Sequence, residues 1–485
     1  MCEEVPKIEI AKGGEWGGLC GRQRRVTREM VEQMFGVNVE PDETTFPFEV
    51  YIHVPFCLKR CGYCDFNTYT ATNLGEGASR ENYANMAIEE MRLLKQWQHS
   101  HNIVEPPVSA IFFGGGTPTV LPAHDLVRMV EAIREMWGIE TGAEITTEAN
   151  PDTVDRSYLQ ELKDGSFTRV SFGMQSAVPH VLATLDRTHT PANVAANVAA
   201  AQHIGLECSV DLIYGTPGES IDDWRQSVET ALNFGVNHIS AYALTIESRT
   251  KMGRQIASGA LHSPDDDDEA NKYELADDIF ASAGLQWYEI SNWAQPGHES
   301  RHNLGYWRNV DWAGIGPGAH SHYNKASFLA ESDATAGARQ STMWRSTGAS
   351  QADSILQVQQ HALLADTELM QSAPVAKKSL RAWDITHPGE WAHAINAKRI
   401  PWGGSEIIGV EENVEEIVML GLRLREGLSL AKLERVAGKA ISQQDVSALT
   451  QSGLAAVEAG RIVATRRGRL LNDDLISNVF EMVSR

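Results

Sequence analysis

From Phe48 onward the chain alternates short, apolar, strand-like runs with amphipathic helical stretches. VYIHV precedes a helix near 80–97, SAIFF precedes 123–137, EITTE precedes 155–163, TRVSF precedes 191–203, LECSVDLIY precedes 220–233, and HISAYALTI closes the series. Six strands separated by helices at short spacing form repeated β–α units, which predicts an α/β fold with a parallel sheet. Right-handed crossovers curl six such units into a partial (β/α)6 barrel. The junctions hold the unusual residues: a cysteine cluster after the first strand, GGGTP after the second, Glu148 ending the third, Gln175 following the fourth, Asp211 ending the fifth. In parallel α/β architectures these junctions share one rim, and that rim carries the chemistry.

The barrel is expected over 47–325. Residues 1–46 lack an apolar period apart from a short basic piece (Arg22, Arg24, Arg25, Arg28) and read as an N-terminal extension. A helix is expected over 266–283, capped by Ser263 with Pro264 in its first turn. Residues 326–400 read as an insertion and linker, polar as far as 380. Residues 401–485 are expected to form a helical, winged-helix-like domain: a helical pattern from Asn413, helices near 429–437 and 442–452, then a hairpin turning at Ala459-Gly460.

Charge narrows the partners. Among 485 residues, 42 Lys and Arg against 64 Asp and Glu leave a net charge of −22, which disfavours nucleic acid and anionic lipid. No run reaches the ~18 apolar residues of a membrane span, and MCEEVPKIEI lacks the start of a secretory signal. A cytoplasmic protein with no transmembrane segment and no nucleic-acid partner is expected.

In that compartment clustered thiols point to a metal or redox site rather than to disulfides. Cys57-x3-Cys61-x2-Cys64 sits in a loop with Pro55 and Gly62, whereas Cys2, Cys20 and Cys208 stand apart as ordinary thiols. Three soft sulfur ligands suit an iron–sulfur cube, zinc or copper(I). Structural zinc wants four ligands, and no second Cys-x2-Cys exists; zinc or plain buried thiols remain the bland alternative. On a four-iron cube, three cysteines leave one iron open to a small molecule.

The run YIHVPFCLKRCGYCDFNTY resembles the CxxxCxxC loop of the radical S-adenosylmethionine (SAM) family. The resemblance continues through FFGGGTPT, TEANPDTV, RVSFGMQS, LDRTHTP, SVDLIYGTPGE, HNLGYW and GPGAHS to MLGLRLREGL. It implies a [4Fe–4S] cluster on Cys57, Cys61 and Cys64, with S-adenosyl-L-methionine on the open iron. It also implies that Tyr51 and Phe66 flank the cluster loop near the adenine, and that Gly114, Gly115, Gly116 and Thr117 admit the methionine moiety to the backbone. Glu148, Gln175, Arg187 and Asp211 match positions that contact the ribose or methionine part, as carboxylates accepting from hydroxyls and an Arg pairing with a carboxylate would.

Two branches of the family are similar to this chain. Oxygen-independent coproporphyrinogen III oxidase (dehydrogenase) carries a further cysteine two residues after the third, where Phe66 stands here. The HemW-type heme chaperones carry CxxxCxxCxF and an HNxxYW motif, here His302-Asn303-Leu304-Gly305-Tyr306-Trp307. The closer pattern implies a carrier that binds heme and delivers it to a client protein, with an electron donor for the cluster; the enzyme making protoporphyrinogen IX is the alternative. His302 is the candidate heme ligand, beside aromatics that could cover a porphyrin face. His320 and His322 are rivals, in a Gly-rich loop expected to close over the cofactor. Asp265 to Glu269 read as a solvated helix start, and Arg461, Arg466, Arg467 and Arg469 as packing or interaction residues on the wing rather than a DNA site.

Overall fold

The computed structural model describes residues 47–324 and 379–484. The N-terminal extension with Cys2, Cys20 and its basic piece, and the polar stretch 325–378, lie outside the described residues.

The strands expected from the alternation are present: β1 (Phe48–Val54), β2 (Val108–Gly115), β3 (Ile139–Ala149), β4 (Arg169–Gln175), β5 (Glu207–Tyr214) and β6 (His238–Ala243). They pair in parallel in chain order. Six further strands extend the sheet: β7 (Gln286–Glu289), β8 (Asn292–Ala294), β9 (Asp311–Ile315), β10 (His320–Tyr323), β11 (Ser379–Asp384) and β12 (Trp402–Ile408). The order is β12-β11-β10-β9-β1-β2-β3-β4-β5-β6-β8-β7, so β7 and β12 lie at opposite edges. β9 joins β1 in parallel, while the pairings beyond β9 and beyond β6 are antiparallel. Residues 379–408, read from sequence as linker and the start of a terminal domain, thus include two strands of the main sheet with the helix Pro388–Asn396 between them.

Alternation along each strand separates core from cavity. On β1, Phe48, Val50, Ile52 and Val54 join the core under the crossover helices, and the intervening Glu49, Tyr51 and His53 lie on the opposite face of the strand. Crossover helices start where capping chemistry allows. Thr190 accepts from Asn193 N–H with Pro191 in the first turn, and Ser220 does the same with Asp223. The 266–282 helix is capped by Asp265, which accepts from Asp268 N–H, rather than by Ser263; the carboxylate two residues closer to the first turn also meets the positive end of the helix dipole.

Residues 410–484 hold a second core, built on Ile417, Val418, Leu433, Ile462, Leu475 and Val479. Helices 410–421, 430–437 and 443–451 precede the hairpin 455–458/461–464. It turns at Ala459 and Gly460, both at positive φ (48° and 77°), as a tight hairpin turn demands. Two of the arginines past the hairpin are packing residues: Arg466 reaches Asp278 at 2.7 Å and Arg469 reaches Asp277 at 2.7 Å, both on the 266–282 helix, while Arg467 is exposed.

Candidate functional site

A cavity of about 580 Å3 fills the barrel, with Cys57, Cys61 and Cys64 at one end and Ser300, His302 and Asn303 among its lining. The loop carrying the cysteines is held by backbone and side-chain bonds on several sides. Cys57 N–H donates to Tyr69 O at 2.9 Å, Tyr69 N–H to Pro55 O at 2.7 Å, and Met252 N–H to Gly62 O at 2.9 Å. Arg80 donates to Cys57 O at 2.6 Å, and Asn67 Nδ2 donates to Pro317 O and Thr386 O at 2.9 and 2.8 Å. The 316–318 loop therefore braces the cluster loop from behind. It does not close over the cavity as expected, and neither His320 nor His322 lines it; His322 is fully buried, with Nδ1 at 3.1 Å from Val310 O.

Burial pushes the Cys57 thiol up to about 11, with Cys64 and Cys61 adding to the shift, and raises Cys64, with Cys61 adding to it. Bare thiols are disfavoured as anions here, so a bound metal must displace their protons. Among the described residues no three His, Cys, Asp or Glu side chains close on a single metal ion. Three soft sulfur donors from one loop, all lining the cavity, are the donor set an iron–sulfur cube takes, each thiolate on a different iron. Arg187 lies beside the loop, with Nη1 at 3.5 Å from Cys61 Sγ and Nη2 donating to Gly173 O at 2.8 Å.

The rim residues converge as the alternation predicts. Gly115, Gly116, Thr117, Glu148, Gln175, Arg187 and Asp211 all line the cavity, as does Phe66, 62% exposed at its mouth. Gly115 sits at φ +104°, and a side chain there would run into the His53 ring, so only glycine lets β2 end against β1. Burial, with the Asp211 carboxylate next in effect, pushes the Glu148 carboxyl up to about 8 against a hydrogen bond from Gly115 N–H. Asp211 is raised by burial too, although Ser171 Oγ donates to it at 3.0 Å. Gln175, at φ +62°, buries an Oε1 that has no hydrogen-bond partner. Two carboxyls and an orphaned amide oxygen, all acceptors, face one space; they fit a ligand rich in hydroxyl and ammonium donors and carrying positive charge.

Two expected contacts fall elsewhere. Gly114 is packed against Phe112 and Tyr51 rather than open to the cavity. Tyr51 does not flank the cluster loop: three residues before the strand's end it points into the barrel wall, its hydroxyl 3.0 Å from His53 Nδ1 and its ring stacked on His302 at 6.0 Å. His53 Nε2 in turn lies 3.0 Å from Asn67 O. Sequence reasoning also missed Glu49, Phe112, Thr146, Arg169 and His238. Phe112, Thr146, Arg169 and His238 line the cavity, and Glu49 holds His302, with Oε2 at 2.8 Å from its Nδ1. The signal was present in FEVYIHV, whose polar members alternate with apolar ones from Glu49 onward.

A parallel partial barrel with a three-cysteine loop at the end of its first strand defines a radical SAM protein, and residues 51–231 match the radical SAM superfamily. Residues 410–471 match the HemN C-terminal domain. The chain is 38% identical to heme chaperone HemW of Mycobacterium tuberculosis over 431 residues, covering 89% of this chain and 94% of that protein. It is 28% identical to heme chaperone HemW of Bacillus subtilis, covering 88% and 97%. The chain belongs to the HemW family. The structure of coproporphyrinogen III oxidase from Escherichia coli shares the fold, with a TM-score of 0.66 and 18% identity over 90% of each chain.

Proposed function

We propose that this protein is a heme chaperone: it binds heme and passes it to a client protein, with a [4Fe–4S] cluster on Cys57, Cys61 and Cys64 and S-adenosylmethionine beside it. The observation that carries the reading is the 38% identity to a heme chaperone along nearly its whole length. Phe66 agrees, standing where the dehydrogenase branch has its extra cysteine. When bound, the cluster and S-adenosylmethionine supply one-electron chemistry at the open iron. Around them, Glu148 and Asp211 accept from ribose hydroxyls and the ammonium group, Gln175 Oε1 gains the donor it lacks, and Arg187 sets positive charge beside the cysteine loop. His302 is the heme-iron ligand in this reading, and the partners are a heme-accepting client and an electron donor, in the cytoplasm.

Heme titration and coproporphyrinogen III consumption, measured side by side on the anaerobically reconstituted protein, test the function. Stoichiometric heme uptake without porphyrinogen decarboxylation is expected; sustained decarboxylation would overturn the carrier reading.

The acidity of Glu148 gives a second check. Donors from the ligand favour its ionised form, so binding must remove a proton wherever the free site is protonated, below about pH 8. Affinity for S-adenosylmethionine should therefore rise about tenfold from pH 6 to pH 7, below the range in which the ligand's own ammonium group titrates. In Glu148→Gln the slope should vanish. A calorimetric titration showing no proton release at pH 7 would contradict the assignment.

A further inference from the structure

His302 opens the helix Arg301–Trp307, whose start is fixed to the barrel floor. Ser300 caps it, accepting from Asn303 N–H at 3.3 Å and donating to Glu144 at 3.2 Å. The imidazole is held on two sides. Phe112 stacks on its face at 4.8 Å with planes 16° apart, and Glu49 Oε2 lies 2.8 Å from Nδ1. Glu49 comes from β1, a different part of the chain, and is 3% exposed.

Room for that carboxylate is made by Gly305. It sits one turn after His302, on the same helix face, and a methyl group there would overlap Glu49 Oε1. Two features of the HNLGYW segment, the imidazole and the missing side chain three residues on, thus serve one buried acid.

The contact also decides which nitrogen faces the cavity. Burial raises the Glu49 carboxyl, while the His302 hydrogen bond and the Arg308 charge act to keep it ionised; as a carboxylate it accepts, so Nδ1 carries the proton and Nε2 keeps its lone pair. Nε2 has no hydrogen-bond partner among the described residues, and His302 lines the cavity. We infer that Glu49 is a positioning residue for heme: it fixes His302 in the tautomer and orientation that present Nε2 to the iron, and its charge makes that nitrogen a stronger donor. This role rests on the reading of His302 as the iron ligand. Carboxylates that accept from the distal nitrogen of a metal-bound imidazole do both things, and their loss typically lowers metal affinity 10- to 100-fold.

The test uses the full-length protein, purified without oxygen, with its cluster in place and with ferrous heme as the probe. Glu49→Gln keeps the shape and an acceptor oxygen but removes the charge. It should weaken heme binding by roughly tenfold or more and lower the iron–imidazole stretching frequency in resonance Raman, with the cluster's absorbance unchanged. Gly305→Ala, which displaces the carboxylate without removing it, should shift the same band in the same direction. In the unaltered protein that band should lie above the value for ferrous heme with free neutral imidazole; this measurement needs no variant to fold. A neutral-imidazole frequency in the unaltered protein, or wild-type affinity and frequency in Glu49→Gln, overturns the role of Glu49. His302→Ala separates the two levels. If it keeps heme with full affinity, the ligand reading fails and the role of Glu49 goes with it. If it loses heme while Glu49→Gln is unchanged, only the role of Glu49 falls.

Discussion

Cys61→Ser in the anaerobically reconstituted protein should lose essentially all of its cluster iron. A hydroxyl is a harder, far less acidic donor than a thiol, and iron–sulfur cubes are held by thiolates. The side chains beside Cys61 are poor substitutes for its sulfur: Arg187, at 3.5 Å, is cationic and cannot donate electrons to a metal, and Tyr63 offers only a phenol whose proton burial holds firmly. Cys208→Ser is the matched control. Its sulfur is buried in the core, near Leu206 O and Val198 O at 3.7 and 3.9 Å, far from the loop, so iron content should stay at the wild-type level. Iron and sulfide analysis with the visible absorbance of the cluster reads both variants. Full iron in Cys61→Ser would remove the cluster assignment and, with it, the site for S-adenosylmethionine.

The second large effect is on stability. Arg469, 7% exposed, forms a two-pronged pair with Asp277 at 3.0 and 2.7 Å and donates to Tyr273 Oη at 3.1 Å. Its guanidinium lies 4.5 Å from the Trp287 ring centre, and Trp293 Nε1 donates to the same carboxylate at 2.8 Å. Arg469→Ala would leave that acid buried without its two-pronged partner, with only Arg466 Nε at 3.8 Å as a remaining cation. Breaking a buried pair on one side costs about 3–5 kcal/mol, whereas removing both charges costs far less. Denaturant unfolding should accordingly show a large fall in midpoint for Arg469→Ala and a much smaller one for Asp277→Asn with Arg469→Met. Equal destabilisation by the single and double changes would show that the packing of the side chain, not the pair, is what matters.

Much of the architecture was legible because local signals agreed with the fold. Residues 191–203 and 123–137 were expected as helices and are found with those limits, since periodicity and the flanking Thr190-Pro191, Pro122 and Gly138 all mark the same ends. The short strands β7 to β12 were not legible. They run for three to seven residues, pair antiparallel at the two ends of the sheet apart from β9, and take their register from partners distant in sequence. Glu148 and Gln175 could be listed from strand ends; Asp211, expected at the end of the fifth strand, lies three residues inside β5, and Arg187, beyond the 179–184 helix, rests on the family resemblance alone. Tyr51 could not be placed that way: strand alternation sends it into the wall with His53, while Phe66, beyond the turn, comes back to the mouth. Glu49 escaped because its partner His302 is 253 positions away, and no spacing in the sequence announces such a pair.

The terminal lobe also grips the helix that carries His302. Arg308, at that helix's end, pairs with Glu426 at 3.0 and 2.7 Å, Arg423 lies over the Trp307 ring at 4.5 Å, and Asn309 donates to Glu416 at 3.2 Å. Deleting everything after residue 409 would uncover Trp307 and Trp287 together and strand Arg308 and Asp277 without their counter-charges. A shortened gene product ending there would be a sticky, ill-folded fragment rather than a minimal version of the protein, and fusion tags or crosslinking probes are better attached at the outer edge strand β12 than in place of the lobe.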